Sequence, residues 1–278
     1  MWRTSMKGSR KISRRSFLAK TAALGTAPII LPSRLAAGAN ERIAVGMIGL
    51  GRQTIYVNLK SFLKSPDTQV VAVCDVDSWR LDEGKKAVEK HYADAKRAGS
   101  FKGCDAYGDF RKIIERKDID AVMISTPDQW HVLMSVMALR AGKDVQCEKP
   151  TLTIDEGKIL VRTVRQTGQV FQTSTEDRSL EMYHRMAELV RNGRVGRLQR
   201  IEVILPKQPK RPGDPTPQPV PPELDYEMWL GPAPFAPYTK DRVHVNFRWI
   251  WDYSGGIICD WGTHLFDTAQ WANDTERS

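Results

Sequence analysis

From Arg42 onward, short unbroken apolar runs alternate with helix-like stretches, and this constrains the fold more than any other feature. Ile43–Ile48, Val70–Cys74 and Ile119–Ile124 are apolar on nearly every residue rather than on every second one, and the shorter runs Val145–Cys147 and Val170–Thr173 follow them. Such strands are buried on both faces. The stretches between them, at about 54–64, 78–98, 131–141 and 154–166, are amphipathic or charged and fit helices. The pattern predicts an α/β fold in which a doubly wound parallel sheet is covered on both sides. Ligands of such sheets bind beyond the carboxyl ends of the strands. Asp75, Thr126 and Lys149 all fall at such ends.

The first strand runs into Gly46-Met47-Ile48-Gly49-Leu50-Gly51-Arg52-Gln53-Thr54. Gly49 and Gly51 let backbone approach a pyrophosphate at a helix N-terminus, with Arg52 at the helix start. Thr54 stands where the fingerprint has its third glycine, so looser helix–strand packing is expected there. Asp75 closes the second strand 24 residues after Gly51. A carboxylate in that position binds ribose hydroxyls and repels a 2′-phosphate, which favours NAD over NADP. Asp75 also fits a plain helix N-cap. Ser125-Thr126-Pro127-Asp128-Gln129-Trp130-His131 follows a strand over the expected nicotinamide end, and His131 reads equally as a surface residue.

Two further motifs carry chemistry. In Glu148-Lys149-Pro150 the lysine follows a strand and is placed to steady negative charge growing on a substrate oxygen. Downstream of Gly255-Gly256, Asp260 and His264 are spaced to share one face of a helix. A histidine there suits proton transfer at a hydroxyl. Taken singly, each motif also reads as an exposed turn, a helix-start aspartate or a core histidine.

Together, in order and spacing, these four sites resemble the Gfo/Idh/MocA oxidoreductases, from about Arg42 to the end of the chain. The resemblance implies a Rossmann domain followed by an α/β substrate domain built on a mainly antiparallel sheet. It implies that Lys149, Asp260 and His264 form the catalytic group, and that Gly49, Gly51, Arg52, Asp75, Thr126, Pro127, His131 and Glu148 line the cofactor, a tightly bound NAD. No metal is expected. In that reading His264 takes the hydroxyl proton, Lys149 steadies the alkoxide and Asp260 holds the hydroxyl or the histidine. The activity implied is oxidation of a secondary hydroxyl of a sugar or cyclitol, or its reverse. A redox-neutral NAD-dependent glycoside hydrolase or lyase is the alternative, and an inactive sugar or nucleotide binder a second one. Tyr226–Pro232 also resembles a stretch common in exported members. The chain stops soon after the histidine motif, so the substrate domain is expected to be incomplete, and the full-length protein to form a homo-oligomer.

The net charge of +9 raises the question of a polyanionic partner. Residues 1–39 hold eight basic residues and no acidic one, which leaves +1 for the rest. A nearly neutral body has no footprint for nucleic acid. The basic segment contains Ser13-Arg14-Arg15-Ser16-Phe17-Leu18-Ala19-Lys20, then a mild apolar stretch to Leu31, then Ala37-Gly38-Ala39. It resembles a twin-arginine export signal with a small-residue cleavage site. The apolar stretch is about half the ~20 residues of a membrane span, and Pro28 interrupts it. Residues 1–39 are therefore read as the signal, 40–173 as the NAD-binding domain and 174–278 as the substrate domain. This reading implies a periplasmic or other extracytoplasmic location and contact with the twin-arginine machinery, with no stable membrane insertion.

Cys74, Cys104, Cys147 and Cys259 show no paired metal spacing and read as free thiols. A helix at about 179–192 and a strand at about 198–205 open the second region, and the prolines of Pro206–Pro222 make a long surface loop. Five of the eight tryptophans lie between Trp229 and Trp271, as core packing or as a platform for a sugar.

Overall fold

The computed structural model describes residues 42–207 and 215–276. Residues 1–39, read above as an export signal, lie outside them. Six parallel strands form one sheet in the order β3-β2-β1-β4-β5-β6: β1 Ile43–Ile48, β2 Thr68–Cys74, β3 Asp105–Tyr107, β4 Ala121–Ile124, β5 Asp144–Cys147 and β6 Phe171–Thr173. The strand order reverses between β1 and its two neighbours, β2 and β4, in register Ile48 with Cys74 and Ile48 with Ile124. The carboxyl ends of these three strands surround the crevice in which doubly wound sheets bind ligands.

The near-continuous burial of β1, β2 and β4 follows from packing on both faces. On one side Ile48, Ala72, Ile124 and Val145 join Trp130 and Leu139 of α5 (Asp128–Arg140) and Leu160 of α6 (Ile154–Thr167). On the other, Val45, Met47, Val73 and Met123 meet Leu59 of α1 (Leu59–Lys64) and Val88 of α2 (Ser78–His91). Thr153 and Glu156 form a reciprocal capping box at the start of α6, and Gly168 ends it in the left-handed region. A short α3 (Ala93–Arg97) follows α2, and α4 (Arg111–Glu115) lies between β3 and β4. Sequence periodicity gives no sign of β3 or α4.

Beyond β6 come a 3-10 turn (Glu176–Ser179), α7 (Glu181–Arg191), α8 (Tyr226–Leu230), a second 3-10 turn (His244–Trp249) and α9 (Gly256–Ala272). The strand expected over 198–205 is not formed. Its residues have no neighbouring strand among the described residues, and a strand alone leaves its backbone groups unpaired. The described part of the proline-rich segment has neither helix nor strand. A third cluster, with Leu224, Tyr226, Trp229, Tyr238, Phe247 and Tyr253, packs against Val76 at the end of β2. There Leu224 bridges Asp77, Asp225 N–H donates to Val76 O at 2.9 Å, and Ser78 N–H donates to Glu223 O at 2.8 Å. Among the described residues no helix is long and apolar enough to cross a membrane.

Candidate active site

The glycine turn is closed by side chains. Gly49 has φ +86°, and a Cβ there would stand 2.6 Å from Ser125 O, so only glycine fits. Gly51 differs: a Cβ would meet nothing within 4 Å. The protein leaves that space open, as a pyrophosphate resting on the turn requires. Thr54 does not loosen the packing as its sequence position suggested. It is fully buried and its hydroxyl donates to Gly49 O at 2.6 Å. A π-helical stretch, Thr54–Asn58, starts at this residue. The close approach is made instead at Gly84 of α2, where a Cβ would strike Leu50.

Asp75 Oδ2 accepts from Leu50 N–H at 2.6 Å and Oδ1 from Asp77 N–H at 2.9 Å. Burial pushes its carboxyl up to about 6 against these hydrogen bonds. The helix N-cap is Asp77, whose side chain accepts from Arg80 N–H. Asp75 thus braces the glycine turn from the end of β2.

Across the crevice, Thr126 follows β4 and its buried hydroxyl has no partner. Pro127 occupies the N-cap position of α5, and Arg52 is exposed at the start of the glycine-turn helix. Glu148 is buried, and Asn58 Nδ2 donates to its Oε1 at 2.8 Å and to Ser125 Oγ at 3.0 Å. Burial raises the Glu148 carboxyl, while the Asn58 bond opposes the rise. An open cradle at Gly51, an unpartnered hydroxyl at Thr126 and a buried carboxyl at Glu148 fit a dinucleotide.

His131 needs correction as a cofactor contact. It is 2% exposed, and its two ring nitrogens each lie 2.8 Å from a backbone carbonyl oxygen, those of Pro150 and Thr126. Neither nitrogen is left for a ligand. The ring instead ties the loop carrying Lys149 to the loop after β4.

Lys149 and Asp260 meet from opposite ends of the fold. Lys149 Nζ donates to Asp260 Oδ1 at 2.6 Å and to Asp260 O at 2.8 Å. Arg248 Nε donates to Asp260 Oδ2 at 3.0 Å. Burial pushes the Asp260 carboxyl up, but the Lys149 and Arg248 cations outweigh it and hold it below the usual carboxylate range. Both Asp260 oxygens are therefore bonded to cations, and neither is bonded to His264, one of the two partners expected for it. His264 lies one turn along α9. Its Nδ1 is buried without a partner, and burial, then the Lys149 charge, lowers its affinity for a proton. Both effects favour the neutral ring, the form that can act as a base.

Asp128 carries no signal of its own in the sequence. It is 5% exposed at the start of α5, with Oδ2 unpartnered. Burial raises its carboxyl, and His131, the Ser254 hydroxyl, Lys149 and Arg248 oppose the rise. Of the tryptophans, Trp229 is core, and its carbonyl accepts from Trp130 Nε1 at 3.1 Å, while Trp251 and Trp261 are exposed. A separate cleft of about 340 Å³ between α1 and β5–β6 includes Asn58 and Ser174 but none of the three catalytic candidates. The four cysteines are free, three of them buried.

Two models of one family match this chain. That described as an oxidoreductase family NAD-binding Rossmann fold covers residues 43–175, and that of the oxidoreductase family C-terminal alpha/beta domain covers residues 213–277. The chain belongs to the Gfo/Idh/MocA oxidoreductase family. Similar curated proteins include a glycosyl hydrolase family 109 protein of Stenotrophomonas maltophilia, 31% identical over 56% of this chain and 34% of its own length. Glycosyl hydrolase family 109 protein 1 of Bacteroides fragilis is 37% identical over 45% of this chain and 26% of its own. This Gfo/Idh/MocA chain thus spans roughly a quarter to a third of the curated relatives it matches. Among solved structures, apo scyllo-inositol dehydrogenase of Lactobacillus casei is 27% identical with a TM-score of 0.49, covering 56% of this chain and 44% of that one.

Proposed function

We propose that this chain belongs to an NAD-dependent enzyme that oxidises a secondary hydroxyl of a sugar or cyclitol to a ketone, or reduces the ketone. The observation that carries the reading is the meeting of Lys149 and Asp260 beyond β5, with the unpartnered Nδ1 of His264 one helical turn away. Gly49, Gly51, Thr126 and Glu148 would hold the dinucleotide, whose nicotinamide would accept or donate the hydride. His264, in its neutral form, takes the substrate's hydroxyl proton. A lysine ammonium has three donors, and Lys149 spends two on Asp260. The third steadies negative charge on the substrate oxygen, and in reduction the same groups act in reverse. Asp75 beside the ribose end favours NAD over NADP. Titration of the full-length apo-protein with both cofactors tests this; equal or tighter NADP binding overturns it, and Asp75→Ala is expected to relax the preference.

The curated relatives named as glycosyl hydrolases support a second reading, a redox-neutral NAD-dependent glycoside hydrolase or lyase on the same scaffold, which would oxidise and re-reduce its sugar within one cycle. One experiment separates the two. Full-length protein is supplied with NAD and a panel of sugars and cyclitols, and separately with aryl glycosides, while NADH absorbance and aglycone release are followed. NADH accumulation with free sugars supports the dehydrogenase. Aglycone release without NADH accumulation supports the glycosidase. Neither product from a folded, NAD-binding protein leaves the inactive binder.

We propose also that the protein is exported by the twin-arginine route, on the strength of Ser13–Lys20. Replacing Arg14 and Arg15 with lysine is expected to strand full-length precursor in the cytoplasm, and unchanged export overturns the proposal.

A further inference from the structure

The carboxylate of Asp260 is held by two cations, and the second, Arg248, has no part in the chemistry above. Its Nε takes Oδ2 at 3.0 Å while Lys149 Nζ takes Oδ1 at 2.6 Å. The side chains of Lys149, Asp260 and Arg248 are 9%, 16% and 29% exposed, so water screens the cluster poorly. Arg248 is itself fixed. Its guanidinium lies 4.8 Å over the ring of Phe247, which is anchored in the third core cluster, and Nη1 donates to Val245 O at 3.4 Å.

We propose that Arg248 is a positioning residue of the active site: by occupying the second oxygen of Asp260 it keeps that carboxylate ionised and turned toward Lys149. The catalytic meaning of this rests on the dehydrogenase reading; the electrostatic claim does not. A carboxyl buried to this degree tends to bind a proton. Lys149 alone leaves Oδ2 a sheltered acceptor without a donor, which protonation relieves at the expense of the attraction that holds Lys149. With Arg248 in place both oxygens are satisfied, Asp260 is closed to proton transfer, and that task falls to His264. The other titratable groups facing the cluster are Glu148 beside Lys149, Asp128 at the start of α5, Cys259 beside Asp260, and His264 one turn along α9. Glu176 and Asp177, on the first 3-10 turn, face His264.

The test is a ¹³C NMR titration of full-length protein labelled at aspartate carboxyls, with the Asp260 signal assigned by its loss in Asp260→Asn. Melting temperature and NAD affinity are measured on the same preparations. In the wild type the Asp260 midpoint is expected below the ordinary value of ~3.9. In Arg248→Met it is expected to rise by about one pH unit or more, as loss of a close opposite charge does. Arg248→Lys, which keeps the charge, is expected to recover at least half of that rise. An unmoved midpoint in Arg248→Met, or equal midpoints in the Met and Lys variants, overturns the proposal. If Arg248→Met fails to fold, Arg248→Gln makes the same comparison with a donor that carries no charge. A shifted midpoint in a protein that oxidises no hydroxyl leaves the positioning claim standing and removes the dehydrogenase reading.

Discussion

Lys149 Nζ lies 2.6 Å from Oδ1 and 2.8 Å from the backbone oxygen of Asp260, across 111 positions of sequence. The pair joins the sheet's fifth strand to α9, so the lysine has a structural task as well as a chemical one. Lys149→Met in full-length protein is expected to lower turnover by ~10²–10³, the effect of losing a charge-stabilising donor. It is also expected to cost about 1–3 kcal/mol of stability, because Asp260 keeps only Arg248. Turnover and urea unfolding on one preparation check both, and an unchanged turnover removes Lys149 from the chemistry.

His264 separates the two effects more cleanly. Its Nδ1 is buried and unpartnered, so His264→Ala breaks no hydrogen bond at that atom. Turnover is expected to fall by ~10²–10⁴ with a small change in melting temperature. A variant that melts early yet turns over normally makes His264 a packing residue.

The two glycines of the turn have different tasks. Gly49→Ala forces a side chain into φ +86° and against Ser125 O, and is expected to destabilise the fold by at least ~2 kcal/mol. Gly51→Ala meets open space, so melting is expected to hold while NAD affinity falls. Calorimetric titration with NAD decides; wild-type affinity in Gly51→Ala shows that no pyrophosphate rests there.

Asp75 makes stability depend on pH. Its carboxyl, pushed up to about 6 by burial, binds a proton more tightly folded than unfolded, where the ordinary value is 3.8. Keeping it ionised costs stability at pH 7, and that cost fades as pH falls through 6 toward 4, by up to ~1.4 kcal/mol per pH unit. Asp75→Asn is expected to remove this slope. Urea midpoints at pH 5 and 7.5 for both proteins measure it, and parallel slopes rule it out.

The parallel sheet was legible because β1, β2 and β4 are apolar on consecutive residues and each precedes a helix. Three-residue β3 lies at an edge, and Asp105-Ala106-Tyr107 has too few apolar residues to show a period. The placement of Gly49 on the turn, of Lys149 just beyond β5 and of Asp260 and His264 one turn apart on α9 was legible in local spacing, whereas the Lys149–Asp260 contact, across 111 positions, was not. Asn58 was not legible, since its partner Glu148 lies 90 positions along the chain, and Asp128 and Arg248 were not, since neither stands in a local motif that points to the site. His131 misled because no residue pattern shows that the carbonyls of Thr126 and Pro150 enclose its ring.

The pairing of residues 223–225 with residues 76–78 makes the nucleotide half dependent on the C-terminal region. A gene cut after residue 175 would strip Leu224 from Asp77, uncover Val76 and remove the carbonyl that satisfies Trp130. The boundary between the two family models is thus not a seam along which the molecule comes apart. A chimaera that grafts this Rossmann half onto a foreign substrate domain would have to carry the 222–254 segment with it, as a tenon is carried with its joint.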